Sequence, residues 1–327
     1  MRKIKLEDYT SSEISEDLLE EIYKRKLFKL FVPKDYVGLM LDLKTASHHL
    51  TDIASYFGGL GWILNLGAGA NWFSGFFDSE TAKSIFSSPK TVVAGSGSVT
   101  GTFEVKNKSV VIDGKWSRCS GAAHASFFSL NAKNKNSGKI SSFIVPKDLV
   151  NISDEKWEIF GLKSTSSFSI NLNDIEISEK FGFQINTIKN HLDYKVFHIP
   201  FEEFSRICMT SCFIGIAQCY LNAVHTDNIF GSNHEHVTAG LQKNILQAIQ
   251  NRDSLADIIQ EKSDKGILDA GIRDHLKVEL GKGNILILND IQEIFKKGGV
   301  ALVDENRLSH WAYRDVLTAI QHKLMKP

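Results

Sequence analysis

The sequence carries no excess charge of either sign. Its 38 lysine and arginine residues are balanced by 38 aspartate and glutamate residues. Proteins that bind nucleic acid or anionic membrane surfaces through their overall field need an excess of positive charge, and no long Lys/Arg run provides one locally. The composition therefore predicts neither nucleic acid nor a membrane as a partner.

Long apolar runs are also scarce. The first residues, MRKIKLEDYTSSEISEDLLEE, turn acidic where a signal peptide would place its apolar region, and no run of about 18 apolar residues follows. The chain has 327 residues, of which 43% are hydrophobic, so it can bury a substantial core. We expect a cytoplasmic protein built from two or three packed regions.

Cysteine is rare, and three of the four cysteines share one helical stripe. Cys208, Cys212 and Cys219 alternate there with aliphatic residues, and no histidine joins them. The pattern predicts buried core cysteines, with a metal or redox site as the alternative. His234 and His236 lie in a predicted loop without a third ligand at a suitable spacing, so no metal site is expected there either.

The pattern of apolar residues changes twice along the chain. Helical periodicity from about 16 to 87 gives way to short alternating segments from 90 to about 185, and it returns after Pro200. This order predicts an α+β fold with an N-terminal helical domain (1–88), a middle antiparallel β domain (89–190) and a C-terminal four-helix bundle (191–327). The last helix is expected to run from about Asn306 through His322.

The most distinctive segment runs from Ala94 to Ala125. A Gly/Ser-rich entry leads through paired strand patterns to Trp116, and Ser120 and Gly121 follow. An isoalloxazine ring needs a flat apolar slot with a few hydroxyl and backbone donors, and a strand ending in Trp with Ser-Gly after it supplies both. These residues predict the rim of a flavin site. A core tryptophan and an exposed turn serine are the alternatives.

Five strings, in the right order, resemble the acyl-CoA dehydrogenase superfamily over nearly the whole chain. The resemblance implies the fold order given above and a bound flavin, either FAD or FMN. The strings are LF with VPKDYVGL within 27–39, GKWSRCSGAAHA at 114–125, WEIFGLKSTSSFSINLNDIEIS at 157–178, FSRICMTSCFIGIAQCYLNAV at 204–224 and YRD at 313–315.

Within the superfamily, the chain is most similar to monooxygenases that take reduced flavin from a separate reductase and hydroxylate small, often aromatic substrates. The strings AGSGSVTGTFEV at 94–105 and SGAAHA at 120–125 carry this similarity. Dehydrogenases of the superfamily instead hold a glutamate base over the flavin. The matching position here is Ser205, with Glu203 slightly upstream. A flavin-dependent acyl-CoA dehydrogenase and a non-catalytic protein that keeps the fold remain the alternatives.

The resemblance implies roles for single residues. Ser120 would help to keep the flavin N5 protonated in a site that excludes water. His322 would act as base or hydrogen-bond donor toward a substrate hydroxyl, because imidazole titrates near neutrality, and Asp315 would line the same cleft. Contacts with the cofactor are expected from Trp116, Ser117, Ser120, Gly121, Ser164, Thr165, Ser167 and Arg314.

The chain departs from the family pattern at two places. The usual Gly-Thr-Gly-Ser turn reads Ser-Thr-Ser-Ser at 164–167, so the loop must be rebuilt if those positions need positive φ. No arginine stands between Ile229 and Gln242, where the family often has one that reaches a neighbouring subunit's flavin. The resemblance also implies a homo-oligomer, a tetramer or dimer, in which a second subunit completes the flavin site.

Overall fold

The computed structural model of the chain describes residues 1–327, apart from the side chains of Glu155 and Lys156. Helices occupy both ends and a sheet occupies the middle, as predicted. In the N-terminal part, aspartates cap α3 and α5 by accepting a backbone N–H three residues ahead. The helices of this part are α1 (Leu6–Thr10), α2 (Glu16–Lys24), α3 (Leu43–Tyr56), α4 (Gly58–Asn71) and α5 (Ser79–Phe86).

The middle of the chain forms one seven-stranded sheet in the order β5-β6-β2-β1-β3-β4-β7. The prediction of an antiparallel domain is wrong at its centre, because β1 and β3 run parallel. Alternation along a strand shows which face is buried, but it carries no information on the direction of the neighbouring strand. The strands are β1 (Val93–Lys106), β2 (Ser109–Cys119), β3 (Phe127–Asn134), β4 (Ile140–Pro146), β5 (Asn151–Lys156), β6 (Phe168–Ser178) and β7 (Gly182–Phe183).

Four helices form the C-terminal part: α6 (Phe201–Thr226), α7 (His234–Asp264), α8 (Ala270–Gly298) and α9 (Leu308–Ala319). Two predicted details are corrected. The last helix ends at Ala319, so His322 lies beyond it in extended conformation. His234 begins α7, which puts His234 and His236 in the first turn of a helix rather than in a loop.

The central helix of the molecule is α6. By length and composition it is apolar enough to cross a membrane, but 83% of its most apolar window is buried inside the protein. Its cysteines are buried as predicted, and burial raises the pKa of the Cys208 and Cys212 thiols, which keeps them protonated. Helix α6 therefore serves as the core against which α3, α7, α8 and α9 pack.

Two apolar cores lie side by side. One joins the N- and C-terminal helices, and the other fills the sheet around Trp116 and Phe128. The side of the sheet formed by β1 and β3 faces α4 and α6, and a cavity opens between them. The predicted domain boundaries after residues 88 and 190 fall between elements and stay a prediction.

Candidate functional site

A cavity of about 300 Å³ opens where the sheet meets the helices. Its walls come from α4, β1, β3, α6 and the chain beyond α9, and most of the surface is apolar. This size and lining are typical of small-molecule sites. The polar lining residues are Asn65, Ser96, Ser120, Ser129, Asn131, Ser142, Ser205, His322 and Lys323.

Strand β1 shapes the sheet side of the cavity. Its pairing with β3 shifts register between Ser96 and Val99 and again between Val99 and Gly101. Such irregularities break the ladder locally and bend the strand. A Cβ atom at Gly97, beside this bend, would meet nothing within 4 Å, and the same holds for Gly69 on α4. No side chain therefore fills the space next to these two glycines, one on the sheet side of the cavity and one on its helix side.

Ser120 is the predicted flavin-rim residue that reaches this cavity. Strand β2 ends one residue earlier, and Gly121 then turns the chain with φ of 81°, a conformation that favours glycine. The Gly121 N–H donates to the Thr165 carbonyl at 2.8 Å. This bond ties the turn that carries Ser120 to the 164–167 loop, and it commits the Gly121 N–H to the fold rather than to a cofactor.

The 164–167 loop contains a residue in the left-handed backbone conformation, although no glycine stands in the loop. Ser166 has φ of 49° and ψ of 47°, a conformation that costs a non-glycine residue roughly 1–2 kcal/mol. Its N–H donates to the Ser12 carbonyl at 3.1 Å, and its own carbonyl accepts the Ala122 N–H at 3.2 Å. These bonds hold the strained residue in place.

The other loop residues lie behind Ser120. Ser164, Thr165 and Ser167 are buried. The Ser167 hydroxyl lies 2.8 Å from that of Ser120 and 2.9 Å from that of Thr165, while Ser164 packs against Gly59, where a Cβ would come within 2.3 Å of its hydroxyl. Ser167 and Thr165 thus support Ser120 in this structure, and the predicted direct contacts of the three residues with a cofactor stay a prediction.

Trp116 occupies the core of the sheet rather than the cavity wall. Its side chain is fully buried, its indole N–H donates to the Asn131 carbonyl at 3.0 Å, and its ring fills the space left by Gly101 and Gly114. The next residue, Ser117, alternates to the exposed face of β2. Full burial of Trp116 corrects the prediction that its side chain contacts a flavin, whereas the predicted contact of Ser117, which is exposed outside the cavity, stays a prediction. Trp116 supports the cavity only through Asn131.

Arg314 is also placed away from the cavity. Its guanidinium carbon lies 4.5 Å from the ring centre of Phe160 and 4.3 Å from that of Trp311, and its Nε donates to the Phe160 carbonyl at 2.6 Å. This sandwich of a cation between two aromatic rings occupies the side chain fully. Arg314 thus fastens α9 to the 160–162 segment, and its predicted role in binding the cofactor stays a prediction.

His322 reaches the cavity from the C-terminal segment. It caps a short 3₁₀ helix (Lys323–Met325), where its Nδ1 accepts the Leu324 N–H at 3.4 Å. Burial, with lesser contributions from the charges of Lys323 and Arg206, lowers the pKa of His322 to about 4. The expectation that it titrates near neutrality is wrong. Leu324 lines the same cavity.

Two buried side chains that sequence reasoning missed hold the C-terminal segment in place. Arg206, which is 4% exposed, donates to the carbonyls of Leu324 at 2.9 Å and Lys326 at 3.1 Å. Asn284 on α8 donates to the Met325 carbonyl at 3.1 Å. The signal was present in the sequence as a charged residue within an apolar helical stripe, because such a residue needs partners when it is buried.

Asp315 does not share the cavity with His322, contrary to expectation. It lies on the inner face of α9, where its Oδ1 accepts the Leu162 N–H at 2.6 Å and its other oxygen faces Gly58. Burial raises the pKa of Asp315 to about 7, although the bond from Leu162 and the charge of Arg314 oppose that rise. Asp315 thereby holds the start of the 162–167 loop.

The cavity presents no carboxylate among the described residues that line it. Ser205 lies at the wall, at the position where a dehydrogenase carries its base. Glu203 lies on the opposite face of α6, is buried, and forms an ion pair with Arg273 at 3.4 Å. A reaction that begins by removing a carbon-bound proton with a carboxylate has no base here.

Asn65 is a cavity residue that sequence reasoning missed. It is 3% exposed, its amide nitrogen donates to the Met209 sulfur at 2.9 Å, and its Oδ1 has no hydrogen-bond partner. A buried acceptor without a partner is costly, so a donor from a bound molecule is expected there. Together with the apolar walls, this acceptor fits a flat heteroaromatic ring that carries N–H groups, as a flavin does.

No protein-family model matches the sequence. The chain is 24% identical to the indole-3-acetate monooxygenase of Pseudomonas putida over 212 residues. This alignment covers 64% of this chain and 54% of the relative. It is 24% identical over 166 residues to the flavin-dependent monooxygenase oxygenase subunit HsaA of Rhodococcus jostii (strain RHA1), covering 50% of this chain and 43% of the relative. The chain thus spans about half the length of the curated relatives that it matches.

Solved structures resemble nearly the whole chain. The crystal structure of 3-HSA hydroxylase from Rhodococcus sp. RHA1 superimposes with a TM-score of 0.87 at 17% identity, covering 97% of this chain and 87% of that one. XiaF from Streptomyces sp., in complex with FADH2 and glycerol, gives 0.86 at 18% identity, covering 97% and 86%. TdsC from Paenibacillus sp. A11-2, with FMN and indole, gives 0.77 at 16% identity, covering 94% and 86%. The predicted resemblance is confirmed, and the chain has the acyl-CoA dehydrogenase-like fold of these flavin-dependent monooxygenases.

Proposed function

We propose that this chain is the oxygenase of a two-component flavin monooxygenase that hydroxylates a small aromatic molecule. The observation that carries the proposal is the cavity itself. Ser120 and His322 lie on one largely apolar surface, and the described residues that line it include no aspartate or glutamate. Such a site excludes water and offers hydrogen bonds without a carbon-proton base, which suits oxygen transfer better than thioester dehydrogenation.

When bound, a reduced flavin would supply the two electrons with which one oxygen atom of O2 enters a substrate C–H bond as a hydroxyl group and the other leaves as water. The protein's own part is to bind, orient and keep the site dry. Apolar walls from α4, β7 and α6 exclude water, and Ser120 contributes a hydroxyl oxygen at the sheet side. Either FAD or FMN is compatible with this arrangement.

His322 serves as a hydrogen-bond donor rather than as a base. A ring nitrogen that accepts the Leu324 N–H carries no proton, so the neutral imidazole holds its proton on Nε2. Because the pKa is about 4, this neutral form is the one present near neutrality. The Nε2–H group can therefore donate to a substrate oxygen and fix the orientation of the ring to be hydroxylated.

The aromatic character of the cavity supports an aromatic substrate. Four phenylalanines line it, and the ring of Phe73 lies with its centre 5.0 Å from that of Phe183 and 5.6 Å from that of Phe201. Aromatic rings pack well in such surroundings through offset and edge contacts. The names of two similar proteins, an indole-3-acetate monooxygenase and TdsC in complex with FMN and indole, agree with a substrate of this class without identifying it.

Partners and location follow from the same proposal. The reduced flavin would come from a separate flavin reductase. Apolar side chains on the outer faces of α7 and α8, among them Leu246 at 62% exposed and Leu286 at 53%, would be covered by further copies of the chain in a dimer or tetramer. Since the apolar α6 is buried in the protein, we also propose a cytoplasmic location.

The experiment that tests the proposal measures flavin binding and product formation together. The purified protein is titrated with oxidised and with photoreduced FMN and FAD, and it is then supplied with oxygen and a panel of indoles and phenols. We expect the reduced flavin to bind and one substrate class to gain a hydroxyl group whose oxygen comes from 18O2.

Two results would overturn the proposal. If neither reduced nor oxidised flavin binds, the chain keeps the fold without the redox chemistry. If an acyl-CoA bleaches bound oxidised flavin under anaerobic conditions, the protein is a dehydrogenase and finds its base outside the described cavity lining.

A further inference from the structure

Three buried hydroxyl groups behind the cavity form a chain that ends at a backbone carbonyl. The Ser120 oxygen lies 2.8 Å from that of Ser167, which lies 2.9 Å from that of Thr165. The Thr165 hydroxyl donates to the Leu162 carbonyl at 2.8 Å. The four residues are between 2% and 9% exposed, so water does not compete for these bonds.

The carbonyl fixes the direction of the whole chain. A carbonyl can only accept, so the single Thr165 proton is used on Leu162. Ser167 must then donate to Thr165, and Ser120 must donate to Ser167. The proton of the Ser120 hydroxyl therefore points away from the cavity, and only the lone pairs of its oxygen, which donation to Ser167 does not use, are left for a bound molecule.

The reverse direction is possible but makes fewer bonds. If Thr165 donated to Ser167 and Ser167 donated to Ser120, the hydroxyl bond to the Leu162 carbonyl would be lost, and two hydroxyl bonds would remain instead of three. One neutral hydrogen bond corresponds to about a fivefold preference. Chains of aligned hydroxyls also polarise one another, which favours the direction with all three bonds.

We propose that Thr165 and Ser167 are positioning residues that fix the Ser120 hydroxyl as a hydrogen-bond acceptor toward the cavity, so that the site prefers the N5–H form of reduced flavin over oxidised flavin. The inference rests on the proposed function for the identity of the ligand. What supports it in this protein is the series of three hydrogen bonds from Ser120 to the Leu162 carbonyl, because all three can form in only one donor direction.

The chemistry of the two flavin forms explains the preference. Oxidised isoalloxazine has an unprotonated N5 that needs a donor, whereas the reduced ring carries a hydrogen on N5 and needs an acceptor. If Ser120 can only accept, its oxygen lone pair faces the N5 lone pair of oxidised flavin, which is repulsive. With reduced flavin, the same oxygen accepts a hydrogen bond from N5–H. The protein thereby binds the form that a reductase delivers and releases the form that must return to it.

The test compares the affinities of the two flavin forms in variants of the chain. Wild type should bind reduced flavin more tightly than oxidised flavin. Ser167→Ala frees the Ser120 hydroxyl to rotate and donate, so the ratio of the two affinities should fall about fivefold. Thr165→Val, which keeps the shape and removes the carbonyl anchor, should lower the ratio as well, and Thr165→Ser should restore it.

An independent readout is the midpoint potential of the bound flavin, which reports the same ratio without turnover. For a two-electron couple a tenfold change in the ratio is about 30 mV, so a fivefold loss should lower the potential by about 20 mV. Ser109→Ala, at the other end of β2 and outside the hydroxyl chain, is the matched control and should leave the potential unchanged.

A double-variant cycle separates orientation from general damage. If Ser167 acts through Ser120, Ser167→Ala should change the ratio in wild type and have no effect on it in a Ser120→Ala background. A structural role alone would weaken both flavin forms equally in both backgrounds, and that result would overturn the inference. It would also be overturned if wild type bound the two forms with equal affinity. Failure of wild type to bind either form would instead refute the proposed function, and the inference with it.

Discussion

The buried carboxyl of Asp315 offers a sharp test of the link between α9 and the loop behind Ser120. Its only hydrogen bond among the described residues comes from the Leu162 N–H at 2.6 Å, and it lies in an apolar setting. An asparagine has nearly the same shape and its oxygen accepts the same bond, but it has no charge to lose. The variant Asp315→Asn therefore removes the ionisation and keeps the contact.

The sign of the effect follows from the pKa. Burial raises the pKa of Asp315 from 3.8 to about 7. Between these values the unfolded chain has released the proton that the folded chain still holds, so the stability contributed by this group falls as the pH rises through that window and is constant above it. From about pH 5 to about pH 8 the loss amounts to ~2.5 kcal/mol, at ~1.4 kcal/mol for each unit of pKa difference.

The assay is thermal or urea unfolding of wild type and Asp315→Asn across this pH range. As the pH rises, the free energy of unfolding of the variant should increase relative to that of wild type by ~2.5 kcal/mol, or roughly 5 °C in Tm for a chain of this size. Asp315→Ala is the matched comparison, because it leaves the Leu162 N–H without a partner and should be destabilised at every pH. A constant difference between wild type and Asp315→Asn from about pH 5 to about pH 8 would refute the reasoning.

Three further predictions concern residues whose roles the structure reassigns. His322→Ala should release hydrogen peroxide instead of hydroxylated product while flavin affinity stays unchanged, and His322→Gln, which keeps a donor, should retain part of the product yield. A wild-type product yield in His322→Ala would remove His322 from the mechanism. Trp116→Phe should lower stability by about 2 kcal/mol through the lost bond to Asn131 and the gap beside Gly101, with flavin affinity within twofold of wild type in an equilibrium titration. Burial lowers the pKa of His124 to about 4, so its contribution to stability is lost as the pH falls from 6.5 toward 4; His124→Leu should reduce acid destabilisation by about 3 kcal/mol in the same unfolding assay, and an identical pH profile would contradict this.

The sequence was a good guide where local periodicity decides the outcome. The cysteine stripe of α6 is buried as predicted, and the change from helical to alternating patterns marks the sheet. The sequence was a poor guide where the outcome depends on contacts between segments that are distant along the chain. The parallel pairing of β1 and β3 leaves no mark on either strand, because alternation records burial and not direction.

The same limit explains the site. Ser120, which follows directly on a recognisable strand, lines the cavity, whereas Trp116, four positions earlier, points into the other core. A one-residue difference in phase decides which face of a sheet a side chain occupies, and the turn after β2 changes that phase. Asn65 was missed because a polar residue in a glycine-rich apolar helix is equally compatible with a satisfied core position.

The polar groups of the cavity together define the hydrogen-bond pattern of what it binds. Ser120 offers only a lone pair if its hydroxyl chain runs in the three-bond direction, and Asn65 offers a buried carbonyl oxygen without a partner. His322 offers the opposite, an N–H group, because its other ring nitrogen accepts the Leu324 N–H. A complementary occupant carries donors toward α4 and the end of β2 and an acceptor toward the C-terminal segment. A reduced isoalloxazine, which carries N–H donors, meets that pattern beside a phenol-like molecule whose oxygen can accept from His322.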